Sequence, residues 1–402
     1  MIRAVILGLI AVFTAAVVGS DALGRSLHKR LPQVAAGLPT ANGFDLSAKA
    51  SVVLTPGMKG GIAARIRLAR AQKEEVARLS KAALRKEPLN DEALRNLALL
   101  AADSGRNADA RRLMRASAEI TKRDLTANMW LALDYAKLGD VDNSLAMYDQ
   151  GLRSNSQAQE LIIPAMARLL KSDQMVAPVA RLLLRQPPWQ ADFWASAPRF
   201  AEAHGNLAKI RLVLAKRNVR IAPASNRELI RALASTGYFA QAEELVARFG
   251  GIRPRPPAAL RNTEFDLQPE YPPFDWQPRF DASLTAELDS RIGVLRIAAF
   301  GDGSGPAASQ LVALPHLAYR LEVRARDWTS AQSGQVYFKL RCAEQGVSTE
   351  SQPIKLEQAQ ISVAIAKPSP GCLYNWLTVF AAPSQSRDDR TVLLDRVDLV
   401  AR

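Results

Sequence analysis

Aromatic residues in the last third of the chain are of the type that binds sugar rings. A pyranose needs a flat aromatic ring beside its apolar C–H face and polar groups beside its hydroxyls. Four residues are candidates for such a platform: Trp328, Tyr337, Tyr374 and Trp376. The alternative for each ring is packing inside a protein core, which is a frequent use of large aromatic side chains. Tyr337 is favoured because it falls on the solvent side of its predicted strand.

Residues suited to acid–base or nucleophilic catalysis are sparse. The three histidines, His28, His204 and His316, have no Ser, Cys or carboxylate partner at a suggestive spacing, so we interpret them as surface or turn residues. The Gly-Asp-Gly-Ser-Gly segment at 301–305 has no Lys-Ser or Lys-Thr helix after it, which predicts a hairpin loop. We therefore predict no enzyme. A carbohydrate-active enzyme hidden in the C-terminal part is the alternative, because paired carboxylates cannot be recognised from sequence.

The cysteines indicate the compartment. Cys342 and Cys372 are the two cysteines of the chain, and they lie 30 residues apart in β-like segments. This placement predicts a disulfide between neighbouring strands, which would stabilise the fold by about 3 kcal/mol and requires an oxidising compartment. Two buried free thiols are the alternative. The absence of Cys-x-x-Cys spacing argues against a cysteine metal site.

Helical hairpins repeat through the first two thirds of the chain. Gly105 and Gly139 lie 34 residues apart, and the Leu-Ala-Leu run at 97–99 returns at 131–133 with the same spacing. A period of this length is typical of two-helix repeats, which bury their apolar faces by stacking on their neighbours.

The repeat resembles the tetratricopeptide repeat (TPR) family over residues 62 to 250. That family has a small residue in its first helix, a turn glycine, an alanine in its second helix and a terminal proline. The matching residues here are Ala98 and Ala132, Gly105 and Gly139, Ala110 and Ser144, and Pro88. The resemblance implies an α-solenoid that binds a partner.

The period of the apolar residues changes after a proline-rich stretch. Seven prolines between 254 and 278 end the helical pattern. Beyond them, apolar and polar residues alternate at 319–326 and 336–342, as in half-buried antiparallel strands. Further strands are predicted at 294–300, 310–314, 361–365, 373–380 and 392–400. About eight strands predict a β-sandwich, most simply a jelly roll.

The ends of this region resemble the jelly-roll carbohydrate-binding modules attached to polysaccharide-active enzymes. The matching segments are Asn-Thr-Glu-Phe-Asp at 262–266, Pro-Phe-Asp-Trp at 273–276 and Leu-Asp-Arg-Val-Asp-Leu at 394–399. The resemblance implies glycan binding. In many such modules the first and last strands hold a structural calcium, which makes Asp266 and Asp395 candidate ligands. Solvated strand-end carboxylates are the alternative, and no other cofactor is expected.

The start of the chain predicts export. An apolar run at 4–19 follows Met1-Ile2-Arg3 and suits a signal peptide or a short membrane anchor. Arg25, Lys29 and Arg30 argue against export, because cationic flanks are retained in the cytoplasm more often than they are translocated. The predicted organisation is a signal peptide or anchor at 1–21, a tether at 22–60, a TPR-like α-solenoid at 61–251, a Pro-rich linker at 252–261 and a β-sandwich at 262–402. The fold class is α + β in separate domains.

The positive charge is concentrated in the helical half. The net charge is +14, yet residues 262–402 carry 14 Lys/Arg against 17 Asp/Glu. The excess favours an anionic partner, for which Arg111, Arg112 and Arg115 form a candidate basic groove. Solvation of helix surfaces by long arginine side chains is the alternative, and nucleic acid is not expected.

We therefore predict a non-catalytic adaptor, periplasmic or anchored in the inner membrane and facing the periplasm. It would bind a partner protein or an acidic polysaccharide. By analogy with TPR scaffolds, its expected setting is exopolysaccharide assembly or export. A pure protein–protein scaffold without glycan binding is the alternative.

Overall fold

The computed structural model describes residues 30–58, 66–250, 259–316, 318–344, 349–383 and 388–401, together with 19, 20, 22, 26 and 27. The predicted leader at 1–21 and linker at 252–261 lie largely outside these residues. Among the described residues, no helix is both long enough and apolar enough to cross a membrane. Contacts divide the chain into two compact units, Met1–Ala165 with Pro187–Trp189, and Met166–Gln186 with Gln190–Arg402.

The described residues form helices first and strands afterwards. The helices are α1 (Pro32–Ala35), α2 (Gly43–Leu54), α3 (Arg70–Lys86), α4 (Asp91–Asp103), α5 (Asn107–Ile120), α6 (Leu125–Lys137), α7 (Val141–Ser154), α8 (Gln159–Leu169), α9 (Val176–Leu184), α10 (Gln190–Ser196), α11 (His204–Lys216), α12 (Pro223–Ser235) and α13 (Phe239–Arg248). The strands are β1 (Gln277–Pro278), β2 (Leu284–Asp289), β3 (Val294–Ala299), β4 (Gly305–Ala313), β5 (Ala318–Arg326), β6 (Val336–Cys342), β7 (Ile354–Lys355), β8 (Gln360–Ala366), β9 (Tyr374–Ala381) and β10 (Arg390–Ala401). The predicted fold class is confirmed.

Helical hairpins build the first unit. Helix α4 packs on α5, and α6 packs on α7. Gly105 and Gly139 follow the first helix of each pair with φ of 76° and 75°, a conformation that glycine adopts without strain. Asn90 and Asp124 start α4 and α6, because each side chain accepts a hydrogen bond from a free backbone N–H of the first turn. The 34-residue pattern therefore corresponds to real hairpins.

The predicted tether at 22–60 is wrong in its second half. Residues 43–54 form helix α2, which packs on α3 and α4 and buries Ala50 and Leu54. Asn42 and Asp45 form a capping box that starts this helix. Residues 66–69 have no regular structure, and the next helix, α3, begins at Arg70. The glycines and prolines on either side of α2 favoured the prediction of a tether over that of a capped helix.

Two five-stranded antiparallel sheets form the sandwich, in the orders β1-β4-β9-β6-β7 and β2-β3-β10-β5-β8. Strands β3 to β10 have the arrangement of a jelly roll. One sheet contains them in the order β3-β10-β5-β8, and the other in the order β4-β9-β6-β7. The segment 301–305 joins β3 to β4, which lie in different sheets, so the predicted hairpin loop is wrong. Strand β2 escaped prediction although Leu284, Ala286 and Leu288 are buried at alternate positions.

The second unit also contains helices. Helices α9 to α13 belong to the same compact unit as the sandwich. The compact units therefore divide within the helical region and not at the predicted Pro-rich linker. This arrangement brings α13 onto one sheet, with consequences for the candidate site.

Candidate functional site

Strand β9 presents alternate side chains to the outer face of the sheet β1-β4-β9-β6-β7. Leu377, Val379 and Ala381 point into the core, where all three are buried. The intervening residues Trp376, Thr378 and Phe380 are half-buried on the other side. This alternation follows from the period of two of a β-strand.

Strand β6 completes this surface with its own outward residues. Tyr337 lies opposite Phe380, Lys339 lies opposite Thr378, and Arg341 lies opposite Trp376. The Tyr337 and Phe380 rings are stacked, with centroids 4.9 Å apart and planes 6° from parallel. Cross-strand aromatic pairs of this kind stabilise a sheet and hold both rings in place. We call the surface formed by Tyr337, Lys339, Arg341, Trp376, Thr378 and Phe380 the aromatic face.

Polar and basic groups surround the aromatic pair. Lys355 of β7 lies opposite Tyr337, and Arg341 and Lys355 are exposed. The Lys339 Nζ atom donates to Glu350 Oε1 at 2.8 Å, and this hydrogen bond raises the pKa of Lys339. The cations Lys339, Arg341 and Lys355 and the anion Glu350 therefore lie at or beside the aromatic face.

Tyr374 lies on the same side of β9 but is covered. Its ring packs against Phe239 of α13 with a centroid separation of 5.2 Å, and its exposed fraction is 7%. The Tyr374 hydroxyl donates to Glu243 Oε2 at 3.0 Å, and Arg261 Nη2 donates to Glu243 Oε1 at 2.8 Å. Burial, followed by the charge of Glu243, raises the pKa of Tyr374. The prediction that Tyr374 forms part of a glycan platform is therefore corrected, because Phe239 of α13 covers the ring that a sugar would need.

Trp328 also falls outside the aromatic face. It follows β5, a strand of the other sheet, and packs half-buried against the sandwich core. Of the four predicted platform residues, Tyr337 and Trp376 lie on the aromatic face, four register positions apart. Phe380 was missed, although its position four residues after Trp376 on one strand places both on the same side.

The predicted calcium ligands have other surroundings. Asp395 accepts a hydrogen bond from Arg324 Nε at 2.8 Å, and Arg326 Nε lies 4.0 Å from its second oxygen. Asp266 is exposed. No cluster of three or more His, Cys, Asp or Glu residues suited to a metal ion occurs within the described parts of the chain. The carboxylate of Asp395 is therefore engaged by arginines, and the calcium site stays a prediction.

The predicted basic groove is largely neutralised as well. Arg111 pairs with Asp134 at 2.5 Å, and Arg112 pairs with Asp109 at 2.9 Å. Arg115 donates from Nε to the Tyr135 hydroxyl, and its guanidinium lies over the Tyr135 ring. Two of these arginines therefore have acidic partners within the solenoid, which reduces the free positive charge on α5.

Two other predictions have clear outcomes. Cys342 and Cys372 are bonded, as predicted, which indicates an oxidising compartment. His204 is 3% exposed, and its two ring nitrogens lie 2.7 Å from Thr236 Oγ1 and from the Pro198 carbonyl oxygen. The interpretation of His204 as a surface or turn residue is therefore wrong, whereas His316 is exposed.

No protein-family model and no curated protein matches this sequence. Among solved structures, the chain is similar to the carbohydrate-binding module TmCBM61 in complex with β-1,4-galactotriose. The match has 17% identity and a TM-score of 0.24, and it covers 36% of this chain and 99% of that one. A likeness of this size carries no argument about ligand or activity, so the assignment of the site rests on its own geometry.

Proposed function

We propose that this protein is a non-catalytic glycan-binding adaptor that holds a polysaccharide on the aromatic face of its sandwich. The observation that carries the proposal is the stacked Tyr337–Phe380 pair, which is half-buried on the same sheet face as Thr378 and, further along β9, Trp376. Aromatic rings offer the apolar surface that a pyranose C–H face requires, and the flanking side chains offer hydrogen bonds to its hydroxyls.

The charge of the aromatic face favours an acidic polysaccharide. Lys339, Arg341 and Lys355 lie among or beside the rings, whereas Glu350 balances one of these charges. Uronate or other anionic groups along a polymer would be attracted to the remaining cations. Such attraction weakens as salt is added, because exposed charges are screened.

The helical hairpins are proposed to hold a partner protein, as stacked two-helix repeats present extended surfaces. The Cys342–Cys372 disulfide supports a location outside the cytoplasm, and we propose the periplasm, with the N-terminal segment as an anchor where it is not cleaved. Exopolysaccharide assembly or export is the proposed setting.

A pure protein scaffold is the second candidate, and one observation favours it. Helix α13 already packs on the covered end of the outer sheet face through Phe239 and Glu243. A helix of a partner protein would find similar apolar surface at the open end, and no glycan would then bind.

Affinity electrophoresis of the full chain through gels that contain neutral or acidic polysaccharides tests the proposal. We expect retardation by an acidic polymer, at least tenfold weaker for Tyr337→Ala, which corresponds to about 1.4 kcal/mol of binding free energy. Phe280→Ala is the matched control, because Phe280 is 86% exposed but lies between β1 and β2. Arg341→Gln should weaken binding a few-fold and reduce its salt dependence. Retardation by no polysaccharide would favour the scaffold.

A further inference from the structure

A buried arginine in α11 lacks an anionic partner. Arg211 is 4% exposed, and its Nε donates to Asn226 Oδ1 at 2.8 Å. Its Nη1 atom is buried with no hydrogen-bond partner, and its guanidinium carbon lies 4.3 Å from the centre of the Phe249 ring. No carboxylate of the described residues forms an ion pair with it. A buried guanidinium without a counter-ion is costly, because no negative charge offsets the loss of its hydration.

A second buried arginine in the same unit has the acidic partner that Arg211 lacks. Arg261 is 5% exposed and lies over the Phe274 ring, 5.2 Å from its centre, in an arrangement similar to that of Arg211. Arg261, however, pairs with Glu243 at 2.8 Å. Desolvation lowers the pKa of Arg211 to about 10, as expected for a cation without an anion.

Arg211 lines an open cavity whose walls combine cations, amides and aromatic rings. The cavity has a volume of about 730 Å³, within the range of small-molecule pockets. Its walls include Arg211, Arg220, Asn218, Asn226, Phe249 and Tyr271, and none of its described lining residues is acidic. The aromatic walls provide apolar surface, while the amides provide donors and acceptors.

The start of helix α12 adds to the positive potential of this cavity. Ala222 and Pro223 line the cavity at the N-terminus of this helix, and no side chain caps it. Pro223 has no N–H, and the Ser225 and Asn226 N–H groups donate to the Ala222 carbonyl, so this terminus offers an anion the Ala224 N–H and the positive end of the helix dipole. The uncapped helix and the unpaired guanidinium therefore point to the same kind of ligand.

We infer that this cavity binds a small organic carboxylate, with sugar acids of the uronate class as the ligands that fit it best. A planar carboxylate matches the planar guanidinium of Arg211. The ring of a uronate would lie against Phe249 or Tyr271, and its hydroxyls would bond to Asn218 and Asn226. This site is separate from the aromatic face, so the inference does not rest on the proposed function.

Titration of the full chain with D-glucuronate tests the inference, with D-glucose as the neutral match and inorganic phosphate as the anion match. Calorimetry should show glucuronate binding at least tenfold tighter than binding of either control. Arg211→Met should weaken glucuronate binding at least tenfold, and Arg217→Met should not, because Arg217 is exposed outside the cavity lining. Unchanged binding by Arg211→Met, equal binding of phosphate or no glucuronate binding would each overturn the assignment.

The thermal stability of the same variants provides an independent readout. Without ligand, Arg211→Met should unfold at the same or a higher temperature than the parent protein, since it removes an uncompensated buried charge. Arg261→Met should unfold at a lower temperature, since it leaves Glu243 without its ion pair. A loss of stability in Arg211→Met as large as that in Arg261→Met would show that Arg211 has a structural role, and would contradict the inference.

Discussion

The two ends of one sheet face use their aromatic residues differently. At one end, α13 covers Tyr374, and the tyrosine hydroxyl is bound to Glu243. At the other end, Tyr337 and Phe380 stack on each other and stay half-buried. Both ends carry outward residues at alternate strand positions. Strand parity therefore identifies the side of a sheet, whereas tertiary packing decides whether a ring supports the fold or remains available to a ligand.

Truncation at the covered end should produce the largest change. Tyr374→Ala removes a buried ring and leaves a cavity under α13, so we expect a loss of about 3–4 kcal/mol in the free energy of unfolding. Chemical denaturation of the full chain measures this loss, and glycan affinity should be unchanged under native conditions. The comparison between the two ends would be wrong if the folded variant lost glycan affinity while its free energy of unfolding decreased by less than about 1 kcal/mol.

Substitutions at the open end should affect ligand binding more than stability. Tyr337→Ala and Phe380→Ala should each weaken glycan binding at least tenfold, which corresponds to about 1.4 kcal/mol or more. Because the two rings form one stacked platform, the double variant should lose clearly less than the sum of the single losses. Calorimetric titration of the four proteins measures this coupling, and fully additive losses would show that the rings bind independently.

A smaller effect is expected at the covered end, where the stabilising contribution of Tyr374 should decrease at alkaline pH. The pKa of Tyr374 is raised by burial and Glu243, so the unfolded chain releases this proton at about pH 10 while the folded chain retains it. The stabilising contribution is therefore complete below about pH 10 and is lost above it, by up to roughly 1.4 kcal/mol per pH unit.

Tyr374→Phe cannot release this proton, so its stability should fall less steeply above pH 10 than that of the parent protein. The pKa values of Tyr271 and Tyr319 are also raised by burial, so the stability of the variant should still decrease somewhat above pH 10. Denaturation midpoints between about pH 8 and pH 11 measure the difference. Equal slopes for the two proteins would contradict the packing described for Tyr374.

The sequence was sufficient where local pattern determines structure. Gly105 and Gly139 predicted the hairpin turns, and the alternation at 336–342 predicted β6 and the outward position of Tyr337. Cys342 and Cys372 predicted their disulfide, since both lie at the ends of neighbouring strand segments.

The sequence was insufficient where distant residues meet. Tyr374 and Glu243 are separated by 131 positions, and no local pattern shows that α13 would cover that ring. Asp395 was a plausible calcium ligand by motif, but its pairing with Arg324 depends on the register of β10 with β5. The Arg211 cavity is also nonlocal, because residues of α11 and α12 line it together with Phe249 and Tyr271.

A crystal structure of the full chain with an oligosaccharide from the most strongly retarding polysaccharide would test the central claim most directly. We expect a sugar ring with its C–H face against the aromatic face formed around Tyr337, Trp376 and Phe380, and its polar groups near Lys339 or Arg341. An oligosaccharide bound on any other surface, with the aromatic face occupied only by solvent, would contradict the account.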